Sequence, residues 1–439
     1  GVGLIIMGAT GVAWPVGAIK RNQIAISDDR FIPGLKRLAD TVHRHGARIA
    51  AQLNHGGLNA GFAAAAFGHP LWAPSPPKPP TGAGDFLGAF LPEEMDRSAM
   101  SAPAVRVMDE ADIATVVRQF AEAAVRAREA GLDGVEIHGG HGYILSSFLS
   151  PSTNRRTDQY GGSLENRARL MVEVVRAVRA AVGRDFAVWG KLDWREVGKP
   201  DGITLEDAKA TARLLEAAGV DAITVSAYHD VAFGKNHTES YLPHTPEANI
   251  PAATAIKGAV GVPVIASGRI TPQSASAKIA AGQFDFLAMG RLLLADPGLP
   301  GKLAAGRAEA VRPCINCYTC VSCIYVGVPM RCAVNPETGL EYLRRAERPA
   351  ARRRFVVVGG GPAGMEAALR LDAAGQDVVL IEKAERLGGT LQFAALGYQP
   401  NEGLLDWLRA RIARSEVDVR LRTAADVALV AGLEPDEVF

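Results

Sequence analysis

The sequence predicts two α/β folds in series: a (β/α)8 TIM barrel whose first strand is missing from the chain, then part of a Rossmann-like doubly wound domain. Three observations carry this. Short, continuous apolar runs alternate with longer amphipathic stretches seven times before residue 290, the pattern of a parallel sheet covered by helices. After the basic run Arg344–Arg354 a second pattern follows, an apolar run, a Gly-rich turn, a helical stretch and another apolar run. Between the two patterns one short segment holds all five cysteines of the 439-residue chain.

Taken in order, the strands of the first pattern are expected at Gly3–Gly8, Arg48–Leu53, Asp133–His138, Phe186–Leu192, Asp221–Ser226, Val262–Ser267 and Phe284–Met289. Amphipathic stretches such as Asp109–Ala130 and Leu205–Ala218 read as the covering helices. The chain opens directly on a strand, with Gly rather than Met, so the absent unit is expected to be the first. The Pro- and Gly-rich stretch Gly68–Leu91 is long for a βα loop and is expected to cover the catalytic end of the barrel. The expected domains are residues 1–310 for the barrel, 311–350 for the cysteine loop and linker, and 351–439 for the opening part of the second domain. That last part stops too early to complete such a domain, so the chain reads as a fragment at both ends.

Composition limits the function. With 48% hydrophobic and 22% charged residues and a net charge of +1, the chain has globular values and no bias toward nucleic acid or an anionic membrane. No apolar run approaches the ~20 residues of a membrane span. The opening GVGLIIMGATGVAW lacks the basic flank of a signal peptide and reads as a buried strand. A cytoplasmic enzyme with a small-molecule substrate is expected, and a homo-oligomer is left open.

In the second pattern Gly359, Gly361 and Gly364 have the G-x-G-x-x-G spacing, and Glu382 ends the next apolar run where an acid would grip a ribose hydroxyl. The spacing alone also suits a purely structural turn. With strand, helix and acid in register it points to a dinucleotide site. The cysteines run Cys314-x2-Cys317-x2-Cys320, with Cys332 after a longer gap. Disulfides belong to small secreted folds. Zinc usually takes two C-x2-C knuckles. Three thiolates on one loop with a distant fourth is the manner of a [4Fe–4S] site, which leaves Cys323 spare. On spacing alone zinc stays open, and so does a ligand set with Cys323 in place of Cys320.

The barrel has its own chemistry. His138, His141 and Tyr143 lie just past the strand Asp133–His138, at the catalytic end. Two imidazoles can donate to one oxygen while a phenol delivers a proton. The plainer reading is three polar residues lining a loop. Gly268–Arg269 and Gly290–Arg291 end the last two strands, where barrels bind phosphate. Gln52 and Lys191 lie at or near strand ends facing the same mouth, and a cation beside a redox ring stabilises its reduced form.

With these features on the page, NRRTDQYGGSLENRARL (Asn154–Leu170), H-G-G-H-G-Y, Gln52 within QLNHGG and the two G-R pairs resemble the Old Yellow Enzyme family. The cysteine loop followed by G-x-G-x-x-G is similar to the long iron–sulfur flavoprotein branch, the 2,4-dienoyl-CoA reductase and trimethylamine dehydrogenase type. The resemblance spans essentially the whole chain. It implies an FMN barrel, a [4Fe–4S] cluster, an FAD- or ADP-binding domain and NAD(P)H as reductant. It assigns Tyr143 as proton donor and His138 with His141 as the pair that holds a substrate carbonyl over the flavin. By the same resemblance Gln52 bonds the flavin pyrimidine edge and Ala9 gives a backbone contact to the ring. Gly268, Arg269, Gly290 and Arg291 match the FMN phosphate loops, and Cys314, Cys317, Cys320 and Cys332 match the cluster ligands. One departure is Lys191, where the family usually has Arg beside the flavin: the charge is kept and the bidentate fork is lost. The strand that could carry a cysteine tethering FMN and the C-terminal NAD(P)H region are expected to be absent.

Two activities compete on this scaffold. One is NAD(P)H-dependent reduction of an activated C=C bond, as in an enone or dienoyl thioester, with electrons passing from FAD through the cluster to FMN. The other is an amine dehydrogenase or N-demethylase running electrons outward. Trimethylamine dehydrogenase types carry an aromatic residue where this chain has His138, so the histidine favours a carbonyl ligand. Trp72, Trp189, Trp194 and Tyr228 could form an ammonium cage, or simply pack. His229, His237 and His244 follow the strand Asp221–Ser226 and receive no role. A chain that binds no FMN and is inert is the remaining alternative, which flavin absorbance would decide.

Overall fold

A computed structural model describes residues 1–77, 103–199, 201–229, 246–326, 328–343 and 351–439, with the side chains of residues 229, 325 and 326 left aside. The chain forms two compact units, Val2–Met289 and Gly290–Phe439 together with Gly1.

In the first unit all seven expected apolar runs are strands: β1 Leu4–Gly11, β2 Arg48–Asn54, β5 Gly134–Gly139, β6 Ala187–Val197, β7 Ile223–His229, β8 Val264–Ala266 and β9 Phe286–Leu287. They form one parallel sheet in which each strand pairs with its neighbour in the chain, the order of a (β/α)8 barrel. Two further short strands, β3 Leu71–Ala73 and β4 Val105–Val107, pair separately. They flank residues 78–102, so most of the expected cover lies outside the described residues. The helix Glu110–Glu129 starts at a capping box of Asp109 and Asp112, and Leu205–Ala218 starts at one of Thr204 and Asp207. Phe120, Val116, Leu170 and Val174 are fully buried beneath these and neighbouring helices. Each such side chain contributes on the order of 1.5–3 kcal/mol.

The register of the sheet explains why polar residues are buried inside it. Gln52, Glu136 and Trp189 are cross-strand partners. Two residues further along β5, His138 pairs with Lys191, which pairs with Thr224. A two-residue step keeps both rows on one face, so a polar layer lies directly below His138 and Lys191.

In the second unit β10 Arg354–Val358, β11 Asp377–Ile381, β12 Asp418–Arg420 and β13 Glu437–Val438 are parallel in the order β12-β11-β10-β13. The order reverses beside β10, where doubly wound sheets bind their ligands. Gly364 explains itself here. A Cβ on it would lie 1.9 Å from the Gly359 carbonyl oxygen, so helix Pro362–Ala373 can approach β10 only with glycine at that position.

The expected domain boundary at 310 differs from the packing, which divides the chain at Met289/Gly290. Specific bonds tie residues 290–310 to the cysteine segment. Asp296 accepts from the Arg312 amide at 2.8 Å, and Asn335 and Thr338 both donate to the Leu294 carbonyl at 2.9 Å. The cysteine segment is also fixed to the nucleotide fold. Arg312 pairs with Glu366 at 3.0 Å, Tyr398 Oη donates to the Ile315 carbonyl at 2.9 Å, and Cys314 and Cys332 pack against the core around Val357 and Met365. No described helix is long and apolar enough to cross a membrane.

Candidate active site and cysteine pocket

β5 and the turn after it bring His138, His141 and Tyr143 together. The ring centres of His138 and His141 are 4.9 Å apart, and Tyr143 lies 4.9 Å from His138 at a steep angle. The glycines of the motif make this possible. A Cβ at Gly140 would meet the Asp193 carboxylate at 2.8 Å, and one at Gly142 would meet the Tyr228 ring at 2.8 Å. His141 itself is held at φ +61°, a left-handed conformation that costs a non-glycine residue on the order of 1 kcal/mol or more.

The partners that hold this conformation were not legible as site residues. Asp193, fully buried on β6, accepts the His141 backbone N–H. Asn59 donates to the His141 carbonyl at 2.8 Å, and Ser226 on β7 lies 2.7 Å from His141 Nε2. The His138 Nδ1 accepts the Gly140 N–H at 3.2 Å, which leaves the ring proton on Nε2. Burial, with the Lys191 charge adding to it, holds the His141 pKa well below that of a free imidazole, so the ring is neutral near pH 7.

Below this pair sits Glu136, 1% exposed. It accepts from Gln52 Nε2, from Trp189 Nε1 at 2.8 Å and from Thr224 Oγ1 at 2.6 Å. The one sequence signal for it is a carboxylate inside an apolar run two residues before His138, hence on the same face. Gln52 Oε1 in turn accepts the Ala9 N–H at 2.9 Å, and Ala9 sits at φ +44°. Gln52 and Ala9, both expected at a flavin edge, are thus bonded to each other. Lys191 is buried on β6 beside His138. At the end of β8, Gly268 and Arg269 form a left-handed turn with φ +101° and +46°. Two further groups near the end of β2 are buried without hydrogen-bond partners among the described residues, both amide atoms of Asn54 and Nε2 of His55. Such orphaned atoms cost about 1–3 kcal/mol each unless water or a bound group satisfies them, so the mouth suits an occupant.

The aromatic residues weighed as a cage do not assemble. Trp189 donates into the barrel to Glu136, Trp194 donates to Asn249 at 2.9 Å, and Trp72 packs against His55. Tyr228 is the member that approaches His141, at 6.4 Å between rings. His237 and His244 lie outside the described residues, and His229 is described in its backbone as the end of β7. The motif Asn154–Leu170 turns out to hold the loop in place. Asn154 Nδ2 donates to the carbonyls of Phe148 and Tyr160, both at 2.7 Å, and Arg167 donates to those of Leu149 and Gly162.

In the second unit Cys314, Cys317, Cys320 and Cys332 line a single small pocket with Arg291 and Tyr318, and Cys323 is not in its wall. Burial, with the neighbouring cysteine charges, raises the Cys320 pKa to about 11. No three His, Cys, Asp or Glu side chains among the described residues converge as ligands of one metal ion. Gly290 caps the short helix Arg291–Ala295. At the nucleotide turn, Gly359 has φ +104° and Gly361 opens the helix with free space where a Cβ would stand. Glu382 follows β11 with both carboxylate oxygens in use, accepting from the Gly360 and Ala384 amides at 2.7 Å each.

Comparison with known proteins agrees with this geometry. Residues 354–399 match an FAD binding domain. The chain is 37% identical over 450 residues to an NADH oxidase of Thermoanaerobacter brockii, covering 100% of this chain and 65% of that protein. It is 36% identical over 431 residues to an N,N-dimethylglycine/sarcosine dehydrogenase of Chromohalobacter salexigens, covering 95% of this chain and 58% of that protein. The chain therefore spans about three fifths of the length of these relatives. Among solved structures, a 2-naphthoyl-CoA reductase in complex with 2-naphthoyl-CoA is similar with TM-score 0.87 and 27% identity, over 100% of this chain and 66% of that one. Residues 1–310, the span that holds the histidine pair, match the NADH:flavin oxidoreductase / NADH oxidase family, and the chain belongs to it.

Proposed function

We propose that this chain carries the catalytic barrel and electron-entry elements of an NAD(P)H-dependent flavin and iron–sulfur oxidoreductase that reduces an activated C=C bond. The observation that carries the reading is the His138–His141–Tyr143 cluster, with ring centres 4.9 Å apart at the end of a barrel strand. The residues fit FMN in the barrel, with Ala9, Gln52 and Lys191 along the ring and Gly268 and Arg269 for its phosphate. When bound, that flavin supplies the hydride, and FAD and the cluster relay electrons to it from NAD(P)H.

This chain's own groups do the rest. His138 offers its Nε2 proton to a substrate carbonyl oxygen. Ser226 can donate to His141 Nε2, which puts the His141 proton on Nδ1, toward the same oxygen. Two neutral donors held by Gly140, Asp193 and Ser226 meet the charge that grows on that oxygen without rearranging. Tyr143 hands its phenolic proton to the α-carbon, on the face opposite the hydride. The Lys191 charge favours the reduced ring and disfavours a cationic substrate. Among the described residues the scattered cage aromatics form no cluster of rings for an ammonium group, although several similar proteins carry the names of amine dehydrogenases, oxidases or demethylases.

The pocket of Cys314, Cys317, Cys320 and Cys332 supports a [4Fe–4S] cluster better than zinc. Zinc bonds of ~2.3 Å would require four sulfurs within about 4 Å of one another. These thiols surround a cavity without converging on a point. The glycine turn and β11 support an FAD or ADP site, where Glu382 holds the turn and can still accept a ribose hydroxyl through its remaining lone pairs. Five reduced cysteines fit a cytoplasmic setting.

The test is reoxidation of the reduced enzyme by an enone, followed by stopped flow. Tyr143→Phe should leave reduction by NAD(P)H nearly intact and slow reoxidation by roughly 10²-fold. Wild-type reoxidation by Tyr143→Phe together with rapid flavin reduction by an N-methyl amine would replace the reductase with an amine dehydrogenase.

A further inference from the structure

We infer that Arg291 sets the reduction potential of the cluster by placing one fixed positive charge against it. The inference rests on the iron–sulfur reading above. Among the described residues Arg291 is the sole formally charged side chain in the wall of the cysteine pocket. Its guanidinium carbon lies 4.8 Å from the centre of the Tyr318 ring. Tyr318 sits between Cys317 and Cys320, 7% exposed and at φ +62°, so the ring is a fixed shelf under the arginine. Nη1 of Arg291 is buried and has no hydrogen-bond partner among the described residues.

Among the described residues, three other cations around the segment are paired with carboxylates. Arg312 pairs with Glu366 at 3.0 Å, Lys302 with Asp296 at 2.6 Å and Arg370 with Glu337 at 2.7 Å. Arg291 has no carboxylate partner among the described ion pairs, so no described carboxylate offsets its charge at the pocket.

Four thiolates around a 2+ cubane carry a net charge of about −2, and uptake of one electron makes it about −3. No bond forms or breaks in that step, and the electron comes from the reduced flavin of the proposed relay. A cation in a poorly solvated wall stabilises the more negative state and raises the potential. Guanidinium stays protonated over the working range of pH, so its charge is constant. A phosphate on the same guanidinium would offset part of that charge, so the potential is read on the chain reconstituted with iron and sulfide and without FMN.

The experiment is an EPR-monitored redox titration of the chain after anaerobic reconstitution with iron and sulfide. At the wild-type midpoint, Arg291→Gln should lower the ratio of reduced to oxidised cluster about tenfold or more. Arg291→Lys, which keeps the charge, should lie much closer to wild type. Arg269→Gln removes an arginine that does not line this pocket and should leave the ratio unchanged. An unshifted Arg291→Gln, or an equal shift in Arg269→Gln, overturns the inference. Cluster lost in Arg291→Gln but kept in Arg291→Lys supports it, since charge then decides, and loss in both overturns it in favour of a structural role. If the wild-type chain takes up no iron, the cluster reading itself falls, which is distinct from a cluster of unshifted potential.

Discussion

The barrel mouth and the cysteine pocket are built on opposite plans. In the mouth the histidine pair and the Gln52–Ala9 edge are bonded to other protein groups. His138 accepts from Gly140, His141 is held by Asp193, Asn59 and Ser226, and Gln52 bridges Ala9 and Glu136. The pocket has four thiols and an arginine, with weak contacts such as Cys317 Sγ to Thr319 Oγ1 at 3.3 Å and Cys314 Sγ to the Asn316 amide at 3.4 Å. The difference teaches what each region requires. A site that must steer a proton has to be rigid before the ligand arrives, and its own hydrogen bonds make it so. A site whose contents bond covalently to four sulfurs needs the sulfurs in reach, and the contents do the rest.

The largest effect that could break this contrast is at the cysteines. Cys320→Ser should abolish retention of about four irons per chain, whereas Cys323→Ser should keep them. Iron and sulfide analysis decides it. The opposite result, iron kept without Cys320 and lost without Cys323, would mean that the pocket rearranges on assembly and that its wall is a poor guide to its ligands.

A smaller but still large effect is expected from the polar layer of the barrel. Glu136→Ala leaves the donors of Gln52, Trp189 and Thr224 unpaired in the interior, at a cost of about 3 kcal/mol or more. Denaturant unfolding should show a lower midpoint with little change in slope. A loss below about 1 kcal/mol would show that the layer is not what keeps the mouth rigid.

The smallest effect is in pH. Burial pulls the His55 pKa down from 6.5 to about 4, and His141 is shifted in the same direction. The unfolded chain therefore binds more protons than the folded one between these values, and stability falls as pH drops from about 6.5 toward 4. Each such histidine contributes at most about 1.4 kcal/mol per pH unit. Thermal unfolding at pH 6.5, 6.0, 5.5 and 5.0, above the range where most carboxylates titrate, should give a shallower slope for His55→Leu than for wild type. Parallel slopes would show that His55 is charged or hydrated in the folded chain, and that the mouth is wetter than its burial suggests.

Much of the molecule was legible in its sequence. Continuous apolar runs identified all seven barrel strands, because a strand buried on both faces must be apolar along its whole length. The H-G-G-H-G-Y spacing located the turn that gathers His138, His141 and Tyr143, and G-x-G-x-x-G with Glu382 located the glycine turn after β10. The motif Asn154–Leu170 identified the family, although its side chains serve to hold a loop. Asp193, Ser226 and Asn59 were not legible as site residues, because each lies on a different strand or turn from the histidine it supports, and Glu136, on the same strand as His138, was not because its partners Gln52, Trp189 and Thr224 come from three other strands.

What the sequence determined by itself is therefore whatever depends on local spacing: the strands, the two motif turns and the cluster of cysteines within one segment. Only the tertiary structure decided which of those cysteines share a pocket. Spacing favoured Cys320 and left a set with Cys323 in its place open, and in the structure Cys323, one turn further along the helix Thr319–Val326, lies outside the pocket wall. It also decided that Arg291 lines the cysteine pocket and that Glu136 gathers three strands, since both depend on register and packing between segments far apart in the chain. The physical reason is the same in each case: periodicity fixes which way a side chain points along its own element, and only packing fixes what it meets there.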